Sequence, residues 1–120
     1  MRSAGPALRL TVHIGSDTRV HHHPLYHEIV LLARDAGLAG ATVLHGTEGY
    51  GASGFVHTDR LLDAADDLPV SVIIVDTEDR VRAFLPRLAE LVGAGVDHLD
   101  VILEPVELLV PKAPSQGEAG

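Results

Sequence analysis

A chain of 120 residues, 46% of them apolar, suits one domain with a proper core and argues against disorder. It has no cysteine, which excludes disulfides, zinc-thiolate sites and thiol nucleophiles and fits a reducing cytoplasm. A formal charge of -8 without a basic run disfavours nucleic acid, no apolar run reaches membrane-spanning length, and residues 1–6 lack the apolar core of a signal peptide.

Leu8 to Ile14 alternates strictly: Leu8, Leu10, Val12 and Ile14 on one side, Arg9, Thr11 and His13 on the other. That pattern predicts a half-buried strand. Gly15-Ser16-Asp17-Thr18-Arg19 is turn-rich. Pro24 is a good first helical residue, and Leu25, Ile29, Leu32 and Ala36 follow at helical spacing up to a stop at Gly37. Ala41 to His45 reads as a second short strand.

The segment from His45 to Arg60 holds four glycines in the nine residues from Gly46 to Gly54, with hydroxyls, two histidines, two acids and an arginine. Glycines admit backbone angles that other residues resist, so the stretch is suited to wrapping a ligand or partner rather than to core packing. Residues 58–67 read as a short acidic helical turn, with Asp63, Asp66 and Asp67 solvated.

Pro69 to Asp76 is the strongest strand, apolar on both faces, as a central or doubly covered strand is. Asp76 or Thr77 caps a helix running to about Val92 with the stripe Val81, Phe84, Leu85, Leu88 and Val92. Pro86 inside it predicts a kink or a break into two pieces. Leu99 to Glu104 is the last regular strand, interrupted at Pro105, with 106–110 continuing along an edge.

The halves correspond: residues 35–44 echo residues 92–101. Strand-helix-strand twice predicts an α+β fold, the ferredoxin-like βαββαβ sandwich: a four-stranded antiparallel sheet with two helices on one face. The domain spans 7–110, with flexible tails at 1–6 and 111–120. Arg9, Thr11, His13, Ser71, Ile73 and Val75, or their alternates, would lie on the uncovered face, and a bare face holding Ile and Val predicts self-association.

Gly49-Tyr50-Gly51-Ala52-Ser53-Gly54 is a literal G-x-G-x-x-G with Asp76 some twenty residues on. No long striped helix opens after Gly54, so a flexible loop is a better reading than a dinucleotide turn. As a ligand loop it offers Gly49, Tyr50, Gly51, Ser53, Gly54, His57, Thr58 and Arg60. Successive N–H groups can form an anion-binding nest, Ser53 and Thr58 can donate, Tyr50 can cover a base, and Arg60 with protonated His57 can meet phosphate. His22, His23 and His27 are the candidate metal ligands, His23 and His27 being four apart. The alternative is a solvated helix entrance. No catalytic base or nucleophile stands out, so no enzymatic reaction and no cofactor is expected.

Asp17 to Tyr26, then Gly40 to Leu44, Gly49 to Ser53, His57-Thr58 and Leu68 to Val70, together resemble the PII-like family of uncharacterised bacterial proteins, related to PII signalling proteins and to CutA. The likeness runs from about Leu8 to Leu103. It implies a homotrimer, a long loop between the second and third strands, and an adenine-nucleotide ligand held between subunits. It also implies a signalling rather than enzymatic role, and a membrane-channel or transporter partner. A CutA-like divalent-metal-binding protein is the alternative. The family usually has a small residue, often glycine, between the histidine and the proline. Here His22 takes the histidine position and His23 intrudes.

Overall fold

The computed structural model describes residues 1–51, 54–58, 67–96 and 99–111. In chain order it forms β1 (Arg2–Gly15), a short pair β2 (Arg19–Val20) and β3 (His23–Pro24), α1 (Leu25–Asp35), β4 (Thr42–His45), a second short pair β5 (Glu48–Gly49) and β6 (His57–Thr58), β7 (Pro69–Thr77), α2 (Glu78–Val92) and β8 (Asp100–Val110). Four strands build one antiparallel sheet in the order β4-β7-β1-β8. This is the ferredoxin-like βαββαβ arrangement that the duplicated pattern predicts.

Alternation decides which face is buried. Leu8, Leu10, Val12 and Ile14 of β1 pack with Val70, Val72 and Ile74 of β7 under the helices. The helices supply Leu25, Ile29 and Ala33, and Val81, Phe84 and Leu88, all at turn spacing. Each large side chain buried this way contributes roughly 1.5–3 kcal/mol. The opposite face follows from register: Arg9 pairs with Val75, Thr11 with Ile73 and His13 with Ser71, the set expected to lie uncovered.

The elements run longer than local sequence suggests. β1 begins at Arg2, opposite Val110, within the stretch expected to be a flexible tail. Gly5-Pro6 punctuates that stretch, but a register shift between Ser3 and Pro6, with Gly5 at φ 90, absorbs the interruption. β8 passes through Pro105 without a break, because it is the edge strand and has a partner on one side only. α2 likewise continues through Pro86 as one helix rather than two pieces. Pro24 is the N-cap of α1, not its first helical residue, and Thr77 rather than Asp76 caps α2, its hydroxyl accepting from the Arg80 N–H at 3.4 Å.

Asp76 has a different task. It is 4% exposed, and its carboxylate accepts the Ala39 N–H at 2.9 Å and the Thr77 N–H at 2.7 Å, with the Arg80 guanidinium at 3.8 Å. It fastens the α1–β4 connection to the junction of β7 and α2. Asp76→Ala leaves two amide donors short of a partner and should cost on the order of 2 kcal/mol. Urea unfolding should show this as a lower midpoint with an unchanged slope.

Candidate functional site

The chain leaves the sheet at His45 and turns against Pro69. The Gly46 N–H donates to the Pro69 carbonyl at 2.7 Å, and a Cβ on Gly46 would sit 2.7 Å from the Pro69 ring, so this turn requires glycine. β5 and β6 then pair, Glu48 with Thr58 and Gly49 with His57, so the glycine-rich segment is a hairpin. Gly54, at φ 77, donates its N–H to the Gly51 carbonyl at 3.0 Å. A strand pair where a dinucleotide fold needs a helix disposes of the G-x-G-x-x-G reading. Tyr50, Phe55 and Val56 stand out from the hairpin, more than half exposed. Ser53, Arg60 and the acidic turn at 59–66 lie outside the described residues.

Between this hairpin and the end of β1 lies a cleft of about 720 Å³. Of the expected ligand residues, Gly49, Tyr50, Gly51 and His57 line it. Gly54 and Thr58 belong to the same hairpin without lining the cleft. The lining also holds residues that the motif reading missed: His13, Gly15, Thr18, Asp67 and Asp100. His13 Nδ1 lies 2.8 Å from the Ser71 hydroxyl.

Asp67 is held from the other side of the cleft. The Asp17 N–H donates to its carboxylate at 3.0 Å, the Ser16 N–H to the Leu68 carbonyl at 2.8 Å, and the Leu68 N–H to the Ser16 hydroxyl at 3.1 Å. The Asp67 carboxylate lies over Gly15, in the space that a Cβ there would take. The Asp17 carboxyl is raised above its ordinary 3.8, first by a hydrogen bond with Asp67, then by burial and by the Asp67 charge, against the opposing pull of its backbone hydrogen bond and of His57.

For an acid raised in the folded state, the folded protein holds its proton longer than the unfolded chain. Stability therefore falls as pH rises from the unfolded value, near 3.8, through the raised one, and stays reduced above it. Asp17→Asn should raise the melting temperature at pH 7 by roughly 1–3 °C and flatten its dependence on pH across that window, as followed by circular dichroism.

The histidine run folds unexpectedly. His21 (φ 53) and His22 (φ 68) are the two residues of the turn that joins β2 to β3, both left-handed, as hairpin turns of this length prefer. Arg19 Nη1 donates to the His22 carbonyl at 3.1 Å. His23 lies in β3, ahead of the α1 cap, so it does not share a helix face with His27. Among the described residues no group of three or more His, Cys, Asp or Glu is placed to hold a metal ion. Replacing His21-His22 by Asn-Gly, residues at ease with positive φ, should stabilise the fold by about 0.5–1 kcal/mol in urea titrations.

On the uncovered face, register aligns Thr42, Ile73, Thr11 and Ile102 in one row across all four strands, and Leu44, Ser71, His13 and Asp100 in the next. Leu44 is 53% and Ile102 38% exposed, and Arg9 bridges to Glu104 at 3.1 Å beside them. Among the described residues no helix is long and apolar enough to cross a membrane.

A four-stranded sheet in this order, two helices on one face and a hairpin between the second and third strands of that sheet define a ferredoxin-like fold. The chain belongs to the DUF190 family (Uncharacterized ACR, COG1993), whose model matches residues 7–108. It is 29% identical over 100 residues to the UPF0166 protein of Aquifex aeolicus, covering 83% of this chain and 90% of that one. Among solved structures it resembles CPII, a nitrogen regulatory PII-like protein of Thiomonas intermedia K12. In the form bound to ADP, AMP and acetate, CPII aligns with a TM-score of 0.60 at 18% identity, covering 88% of this chain and 91% of that one. CutA1, the divalent ion tolerance protein of Ehrlichia chaffeensis, aligns with a TM-score of 0.51 at 14% identity, covering 89% of this chain and 84% of that one.

Proposed function

We propose that this protein senses a small anionic metabolite, an adenine nucleotide, and signals its presence to a protein partner through the β5–β6 hairpin. The observation that carries this reading is the cleft of about 720 Å³. Its size is that of a small-molecule site, and one wall is the backbone of Gly49 to Gly51 beside His57. A ligand seated there touches the base of the same hairpin that exposes Phe55 and Val56. Occupancy and hairpin position are thereby linked without any chemical step, which is the behaviour of a sensor rather than an enzyme. The nucleotides of CPII support the choice of ligand class.

The working unit in this reading is a homotrimer. The face carrying Leu44, Ile73 and Ile102 has no helix over it, and symmetric association of copies covers it. The apolar hairpin residues suit a protein surface, and a membrane channel or transporter is the partner that the family resemblance implies. With no cysteine in the chain, a cytoplasmic setting fits. The CutA-like metal-binding reading has less support, since His23 stands outside the helix that carries His27.

Calorimetry with AMP, ADP, ATP and cyclic nucleotides tests the ligand. Binding should weaken in high salt, fall more with Arg60→Ala than with Arg2→Ala, and fall with Gly54→Val, which forces a branched side chain onto φ 77. No binding at millimolar nucleotide would overturn the sensor reading. Light scattering tests the assembly, and a monomer at micromolar concentration would overturn the trimer.

A further inference from the structure

The helical layer carries a second hollow, on the side of the sheet away from the uncovered face. It measures about 390 Å³ and is lined by Ala36 and Gly37 at the end of α1 and by Arg80, Ala83, Phe84 and Arg87 of α2. Positions 80, 83, 84 and 87 share one stripe of the helix, two turns long. Phe84, 1% exposed, and the two alanines make an apolar floor. The arginines stand at its two ends, about 10.5 Å apart along the helix axis. Gly37, at φ 80, has open space where a Cβ would stand, so the hollow is open at the α1 end.

No carboxylate lines this hollow among the described residues, although the chain has a formal charge of -8. The arginines of the helical layer differ in what they already hold. Arg34 lies 3.8 Å from Asp35, and Arg82 lies 3.3 Å from Glu78. Arg80 reaches the Asp76 carboxylate at 3.8 Å, but that group also accepts two backbone N–H groups, and the Arg80 side chain is 63% exposed. Arg87 has no ion pair or hydrogen bond among the described residues. The end of α1 makes no demand on either one, since the Leu32, Ala33 and Arg34 carbonyls accept from the Ala36, Leu38 and Gly37 N–H groups.

We propose that this hollow docks an acidic segment of a partner protein, with one carboxylate at Arg80, one at Arg87 and an apolar side chain over the floor between them. In an extended chain, residues i, i+2 and i+4 share a face and span about 13 Å, which two long arginine side chains can meet. Guanidinium groups take carboxylates in paired, charge-assisted hydrogen bonds. Repulsion from the rest of an acidic surface keeps such a segment from settling elsewhere, so the site gains specificity from the charge around it. If copies close over the uncovered sheet face, the helical layer stays outside, and the hollow remains open in the assembly. The inference is independent of what the cleft binds.

Fluorescence anisotropy on the full chain tests this with a labelled peptide of Glu-Ser-Leu-Ser repeats and its Gln-Ser-Leu-Ser counterpart. The wild type should bind the acidic peptide and not the neutral one, with affinity falling in high salt. Arg87→Gln should weaken binding by at least about threefold, and Arg87→Lys by less, since lysine keeps the charge without the fork. Ala83→Glu sets a carboxylate three residues after Arg80 and four before Arg87, in the hollow itself, and should abolish binding; Ala83→Gln, alike in size but uncharged, should retain it. Arg2→Gln, on β1 and outside the helical layer, should change nothing. Equal losses in Arg2→Gln and Arg87→Gln would reduce the effect to general attraction and overturn the proposal. So would unaltered binding by Ala83→Glu, or no binding at millimolar peptide.

Discussion

Everything in this fold is hung on β1. It lies inside the sheet, with β7 on one side and β8 on the other, and its buried side chains Leu10 and Val12 are wholly removed from solvent. Every residue row across the sheet passes through it. A one-residue slip would exchange Leu8, Leu10, Val12 and Ile14 for Arg9, Thr11 and His13 and put two cationic or titratable groups under the helices. That penalty, repeated along the strand, is what fixes the register of β7 and β8. It also fixes where β1 stops, at Gly15, and thus where the cleft wall begins.

The cleft is a product of strand ends rather than of any single loop. β1 delivers His13 and Gly15, β6 delivers His57, the approach to β7 delivers Asp67, and β8 opens with Asp100. Such a site inherits the rigidity of the sheet on one side and the freedom of a glycine hairpin on the other. On the proposed sensor reading, a ligand here would have a fixed reference against which the hairpin could be displaced, which is the physical requirement for turning occupancy into a signal.

What could be read from the chain and what could not divides along the range of the interaction. Strict alternation in Leu8 to Ile14 and turn spacing in both helices are local, and they made the topology and the uncovered face legible in advance. The hairpin glycines were legible as a loop, and four of its residues do line the cleft. Asp17 and Asp67 stand 50 residues apart, and nothing in either neighbourhood announces the other. The extension of β1 to Arg2 depends on β8, at the far end of the chain, while its own Gly5-Pro6 reads as a break. The His21-His22 turn was hidden for another reason: residues with a Cβ avoid positive φ, so no sequence rule would place two of them in a left-handed turn.

The Pro105 that lies in β8 bears on how this molecule can aggregate. An edge strand of eleven residues, Asp100 to Val110, is long enough to template another sheet, and unchecked edge pairing propagates without limit. Pro105 offers no amide to a newcomer, and Glu104 and Glu107 place like charges where a second copy of the same edge would lie alongside. At the other margin, β4 is only four residues long. Both margins of the sheet are poor templates, so its backbone discourages fibre-like growth in either direction.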